Sequence, residues 1–248
     1  LGPALALYAS CTHPDARTRA ARLSRANQGL GRPRRPAAAV PIFDLTLPRT
    51  ASRRPVECRV SDELLAGEGT ESCVHHVENS LINSLFGLMC WSAIFAPVRG
   101  AFFHPFQREP ADLMTAGFFE RRGEWFAACF AELHSGTYRA TILDRFAASH
   151  GIAAPFVAWG AVDESLLRMA LDCFPPEHLR LWFMWIIRDI RHHRSGFPDL
   201  VQFWPQSGRY RLVEVKGPGD RLQENQRRCL EYLCANAIPA SVCRVRWS

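Results

Sequence analysis

Three residues near the C-terminal end have types and spacing suited to phosphate chemistry. Pro198-Asp199 and Glu214-Val215-Lys216 are separated by fourteen residues. In a β-strand, alternation puts Glu214 and Lys216 on one face, about 6–7 Å apart at ~3.3 Å rise per residue. A turn at Pro205-Gln206-Ser207-Gly208 lets the preceding strand fold back and brings Asp199 beside Glu214. Two neighbouring carboxylates repel unless a cation lies between them, and hard oxygen ligands favour Mg²⁺ or Mn²⁺. An adjacent ammonium can then orient a water and stabilise charge on a pentavalent phosphate. The same residues also allow a plainer arrangement, an edge-strand ion pair from Glu214 to Lys216 or to Arg211. The count of basic residues bears on this choice: of 30, 29 are Arg, and Lys216 is the one Lys. A compact ammonium kept in an Arg-rich chain marks a place that a planar guanidinium does not serve.

These residues need a sheet and its supports. Asp199–Trp204 reads as a short strand, and Arg209–Lys216 as a second with Tyr210, Leu212, Glu214 and Lys216 on one face. Gly217-Pro218-Gly219 breaks it. Leu222–Ala237 is an amphipathic helix ended by Ile238-Pro239, and Ser241–Trp247 is a third strand. Upstream, Val77, Leu81, Leu85, Leu88 and Trp91 have helical spacing, predicting one buried helix over Cys73–Phe95 with Val74 one position off the stripe. Glu78 sits near its start among His75, His76 and Asn79. Further helices are predicted over about 116–133, 140–150 and 163–173, and Glu177–Arg194 reads as one long helix after Pro175-Pro176. The order ββαβ behind a helical region predicts an α/β fold, a mixed sheet flanked by helices.

Composition excludes several classes. With 248 residues, 48% hydrophobic and 11% aromatic, the chain can bury a sizeable core, so full disorder and a fibrous repeat are excluded. Nine cysteines are scattered without a CxxC pair, which argues against a zinc finger or disulfide framework and fits a reducing cytoplasm. No run of 18 apolar residues occurs, so no membrane span is expected. Leu1–Cys11 lacks the basic leader of a secretion signal, and an opening without Met reads as the cut end of a longer protein. The net charge of +6 is concentrated early: residues 1–60 hold 11 Arg against Asp15, Asp44 and Glu57. A short helical pattern at Ala16–Ala26 precedes a Pro/Arg-rich stretch, including Gly31–Pro36 and Arg53-Arg54-Pro55, that reads as a solvated linker able to lie along a phosphate backbone.

The segment SGFPDLVQFWPQSGRYRLVEVKGPGDRLQENQ resembles the VRR-NUC subgroup of the PD-(D/E)xK nucleases, and HHVENSLINSLFGLMCWSAIF resembles the nuclease domain of the Fanconi anaemia-associated nuclease family. The resemblance runs from about residue 70 to 247, and less clearly through the first 25. It implies a restriction-endonuclease-like fold. It also implies Glu78, Asp199 and Glu214 as metal ligands, the Val215 carbonyl as a further ligand, Lys216 as catalytic lysine, and Asp220, Arg221 and Gln226 around the substrate. With that, a carboxylate on a buried helix gains a partner in a shared Mg²⁺ or Mn²⁺, although Glu78 could also serve only to cap a helix. Three regions are expected: 1–60, a partial helical-repeat remnant and basic linker; 61–175, the helical part of the nuclease region; 176–248, the catalytic core. The implied activity is cleavage of branched or 5′-flap DNA with 5′ to 3′ trimming in interstrand cross-link repair, in a bacterial cytoplasm at the nucleoid. Most of the family's helical-repeat region and its DNA-binding amino-terminal domain are expected to be missing here, which bears on substrate geometry more than on the catalytic chemistry. The alternative readings are a standalone dimeric junction resolvase or restriction-like nuclease, and an inactive DNA-binding remnant. Among secondary candidates, His192-His193 could touch phosphate or end a helix, and His75-His76 could stand behind the metal. Trp182, Phe183 and Trp185 are expected in the core, and Arg121-Arg122 on a helix surface.

Overall fold

The computed structural model describes residues 39–49, 54–68 and 71–248. The predicted Ala16–Ala26 helix and the Gly31–Pro36 stretch lie outside these residues. The described chain builds one five-stranded mixed sheet. Its strands are β1 (Ile42–Leu47), β2 (Cys73–His76), β3 (Leu200–Trp204), β4 (Arg209–Lys216) and β5 (Ala240–Trp247), in the order β1-β5-β4-β3-β2. β1 and β4 run parallel to β5, while β3 is antiparallel to both β4 and β2.

Helices cover the two faces unequally. On one face Val201, Phe203, Tyr210, Leu212 and Val242 join the large core formed with α2 (Ser80–Met89), α6 (Glu164–Cys173), α7 (Pro176–Arg188) and α9 (Glu224–Ala235). On the other, Leu200, Val213, Val215, Cys243 and Val245 pack with Leu47 and with Val60 and Leu64 of α1 (Val56–Glu68). The remaining helices are α3 (Trp91–Ile94), α4 (Gly123–Ser135), α5 (Tyr138–Ser149) and the single turn α8 (Ile190–His193). Among the described residues no helix is long and apolar enough to cross a membrane.

Several elements differ from the sequence expectation. Part of the stretch read as linker is structured: Phe43, Leu45 and Leu47 alternate with Asp44 and Thr46 between Pro41 and Pro48 in β1, and α1 follows. The predicted helix over Cys73–Phe95 is a strand, a turn and then two helices. Residues 73–76 find open hydrogen-bonding groups along β3, and Val74, the residue off the helical stripe, packs against the second core. Glu78 therefore lies in the turn, not on a helix. The helix expected over Glu177–Arg194 breaks at Asp189, whose carboxylate accepts the His192 backbone N–H at 3.3 Å and so starts a new turn. Trp182, Phe183 and Trp185 are buried as expected. Arg122, expected on a surface, is fully buried instead, doubly hydrogen-bonded to Asp112 at 2.7 and 3.0 Å and stacked on Phe118.

Candidate active site at the ends of β2, β3 and β4

The β3–β4 register pairs Leu200 with Val213, so one step further Asp199 faces Glu214. Gly208, at φ +60°, closes the hairpin in the left-handed region that suits glycine. Asp199 joins three elements. Its carboxylate accepts the Val215 N–H at 2.8 Å, and its backbone carbonyl accepts the N–H groups of Val77 and Glu78 at 2.9 and 3.0 Å. These last bonds anchor the β2–α2 turn beside the hairpin. Within that turn Glu78 adopts φ +41°, a left-handed conformation costly for a residue with a Cβ.

Glu214 is the most constrained group. It has no exposed surface, and neither carboxylate oxygen accepts an aligned hydrogen bond among the described residues. The Lys216 ammonium lies 2.8 Å from Oε1 as an ion pair and reaches partly to solvent. Burial and the neighbouring Asp199 charge push the Glu214 carboxyl up to about 7, against the opposing pull of Lys216. Burial likewise raises Asp199, with the Val215 N–H and Lys216 resisting. A buried carboxylate with Lys216 as its close partner on Oε1, facing a second carboxylate, is an arrangement that a divalent cation completes.

The site residues fall into two groups. The structure gathers the backbones of Glu78, Asp199, Val215 and Lys216 around Glu214. The Glu78 carboxylate is exposed, with its Oε1 accepting from the Asn79 amide at 3.2 Å, and among the described residues no three His, Cys, Asp or Glu side chains are drawn into a ligand set. Mutual repulsion of three carboxylates favours this outward position. The second group, Asp220, Arg221 and Gln226, lies in the turn after β4 and at the start of α9. Asp220 closes the turn after β4, its carboxylate accepting the Gly217 N–H at 3.2 Å. Gln226 forms a capping box with Gln223 at the start of α9 and accepts the Gln223 N–H at 3.0 Å. Arg221 is exposed on the rim of a cleft that begins at Lys216.

The histidine candidates divide as well. His193 is buried, stacked on Trp185 at 3.6 Å with its Nδ1 2.7 Å from the Trp185 carbonyl, and His192 pairs with Asp189 at 3.0 Å. Both end a helix. His76 is exposed and helps hold the Asp199 carboxyl down, whereas His75 is half-buried against Phe203, its basicity lowered by burial. Sequence reasoning missed the Arg122–Asp112 pair, because ten residues of separation carry no periodic signal, and β1, whose alternation was legible.

Residues 133–247 match the VRR-NUC domain model. The chain is 50% identical over 250 residues to the Fanconi-associated nuclease 1 homolog of Pseudomonas aeruginosa, covering 98% of this chain and 44% of that protein. It is 31% identical over 214 residues to human Fanconi-associated nuclease 1, covering 82% and 21%. A crystal structure of paFAN1 bound to DNA with a two-nucleotide 5′ flap and a gap superposes with TM-score 0.82 at 46% identity, over 99% of this chain and 45% of that one. The chain thus spans less than half the length of these relatives. Its sheet and flanking helices are of the restriction-endonuclease-like type. The chain belongs to the VRR-NUC-containing Fanconi-associated nuclease family.

Proposed function

We propose that this chain is a divalent-metal-dependent DNA phosphodiesterase acting on branched DNA, with 5′ flaps as the favoured geometry. The observation that carries the reading is Glu214: fully buried, both oxygens without an aligned hydrogen bond, opposite Asp199 and ion-paired to the one lysine. A structural salt bridge alone would leave this carboxylate poorly satisfied. The 5′-flap preference draws support from the DNA bound to paFAN1. A further role in trimming from 5′ to 3′ during cross-link repair follows from the family alone.

Glu78, Asp199, Glu214 and the Val215 carbonyl are the groups that would hold Mg²⁺ or Mn²⁺, which supplies Lewis acidity and charge neutralisation at the scissile phosphate. Asp199 ties Val215 and the β2–α2 turn into one frame, so the donors come from three rigid elements. Lys216, 2.8 Å from Glu214 and partly open to solvent, places positive charge where a phosphate oxygen gains negative charge, and holds the attacking water in line. Burial of Glu214 excludes bulk water from one side of the reacting centre.

The test is cleavage of a panel of 5′-flap, nicked and junction DNA with Mn²⁺, with chelator, and with the Asp199→Ala variant. Cutting of the flap that needs the metal and is abolished by Asp199→Ala is expected. Undiminished cutting by Asp199→Ala would sink the assignment.

A further inference from the structure

Beyond Lys216 the same sheet face continues into a cleft of about 370 Å³. Its wall comes from β4, β5 and β1, and its roof from the turn at Gly217–Asp220. Register sets the wall chemistry: Arg244 stands opposite Lys216 on one side and opposite Asp44 on the other, while Glu214 and Ile42 both pair with Val242 in the row before. The floor is therefore Val242 and Ile42, the latter 49% exposed, and the rim is cationic. Arg246 is already engaged, with its guanidinium 3.0 Å from Asp44. Arg244 is exposed, and among the described residues it is the Arg246 guanidinium, not that of Arg244, that pairs with Asp44. The turn itself is tight, with the Asp220 carboxylate accepting the Gly217 N–H at 3.2 Å.

We infer that this cleft binds the nucleotide adjacent to the scissile phosphate, with Arg244 holding its phosphodiester and Ile42 and Val242 lying under its sugar. The inference rests on the nuclease reading above and extends it to a subsite. A bare anion site would need no apolar floor, and an apolar ligand would gain nothing from the rim. A nucleotide has both parts, and its phosphate follows the cut phosphate along the strand that Lys216 faces. Neighbouring strands lie about 4.8 Å apart, so Arg244 reaches one strand further from the cut, and its planar fork suits two phosphate oxygens at once. Asp44 opposes this by holding Arg246 and by its own charge. Arg244 is a positioning residue here, because it touches the substrate away from the reacting atoms.

The test is binding of a fluorescent 5′-flap DNA to the full chain in Ca²⁺ at several salt concentrations, alongside single-turnover cleavage in Mn²⁺. Arg244→Ala is expected to weaken binding about tenfold and lower the salt slope by about one, with cleavage at limiting DNA falling in proportion. Asp44→Asn is expected to tighten binding roughly twofold by freeing Arg246. Arg139→Ala removes the same charge from a surface pair with Asp172 and should do neither. If Arg244→Ala binds like Arg139→Ala while the wild type cleaves, the cleft is refuted and the nuclease stands. If the wild type neither binds nor cleaves flap DNA, both readings fall.

Discussion

At the residue scale, Lys216 is where the proposed catalytic site and an ordinary ion pair predict different outcomes. Its ammonium sits 2.8 Å from a fully buried carboxylate, a space that fits a compact donor. Lys216→Arg should therefore lose nearly as much single-turnover cleavage of a 5′ flap as Lys216→Ala, on the order of 10²-fold or more, because the longer planar fork displaces the attacking water. Near wild-type rates for the Arg variant would show that generic positive charge suffices, and the water-positioning role would be withdrawn. The two carboxylates beside it differ in the same way. Asp199 has a backbone N–H to hold its charge, whereas Glu214 has only Lys216.

Among the elements, the loop that leads into α4 is held by a charge pair placed where charge is costly. Arg122 is fully buried, and its guanidinium grips Asp112 and lies over the Phe118 ring, so the contact ties the two ends of residues 112–122 together. Removing one partner strands the other. Asp112→Ala should cost about 3–5 kcal/mol, read as a large drop in Tm, while a double change of Asp112 and Arg122 to apolar residues of similar volume should recover most of it. Equal losses in the single and double variants would show that the pair is not what stabilises the loop. The β2–α2 turn has the opposite design, with strain accepted at Glu78 and held by two hydrogen bonds to Asp199.

For the whole molecule, the ends of β2, β3 and β4 bring negative charges together, so stability and the proposed metal binding should be linked. The raised Glu214 carboxyl, about 7 against an ordinary 4.5, means that the folded chain holds a proton there that the unfolded chain has released. This stabilising contribution is full below about pH 4.5 and is lost as pH rises through about 7. Glu214→Gln should accordingly stabilise the fold most at pH 8 without metal, by roughly 3 kcal/mol from the shift and seen as a raised Tm, and little at pH 5. Mn²⁺ at a hundred times its Kd should stabilise the wild type by about 2.7 kcal/mol and leave Glu214→Gln nearly unmoved. Thermal melts at the two pH values, with and without Mn²⁺, check both halves. A Tm gain that is the same at both pH values would remove the buried charge as the cause.

The sequence by itself determined the hairpin and the side chains that share its face, because a period of two over Tyr210, Leu212, Glu214 and Lys216 and a turn of four residues set both. It also determined the buried helices, whose apolar stripes are local patterns. Only the tertiary structure decided that Cys73–His76 is a strand, since its backbone is paired by β3, more than a hundred residues away. The same holds for β1, whose alternation is readable but whose place is set by β5. Glu78 shows the division most clearly. Its type was legible, yet its position at the hairpin depends on the Asp199 carbonyl, a long-range hydrogen bond that no local pattern encodes.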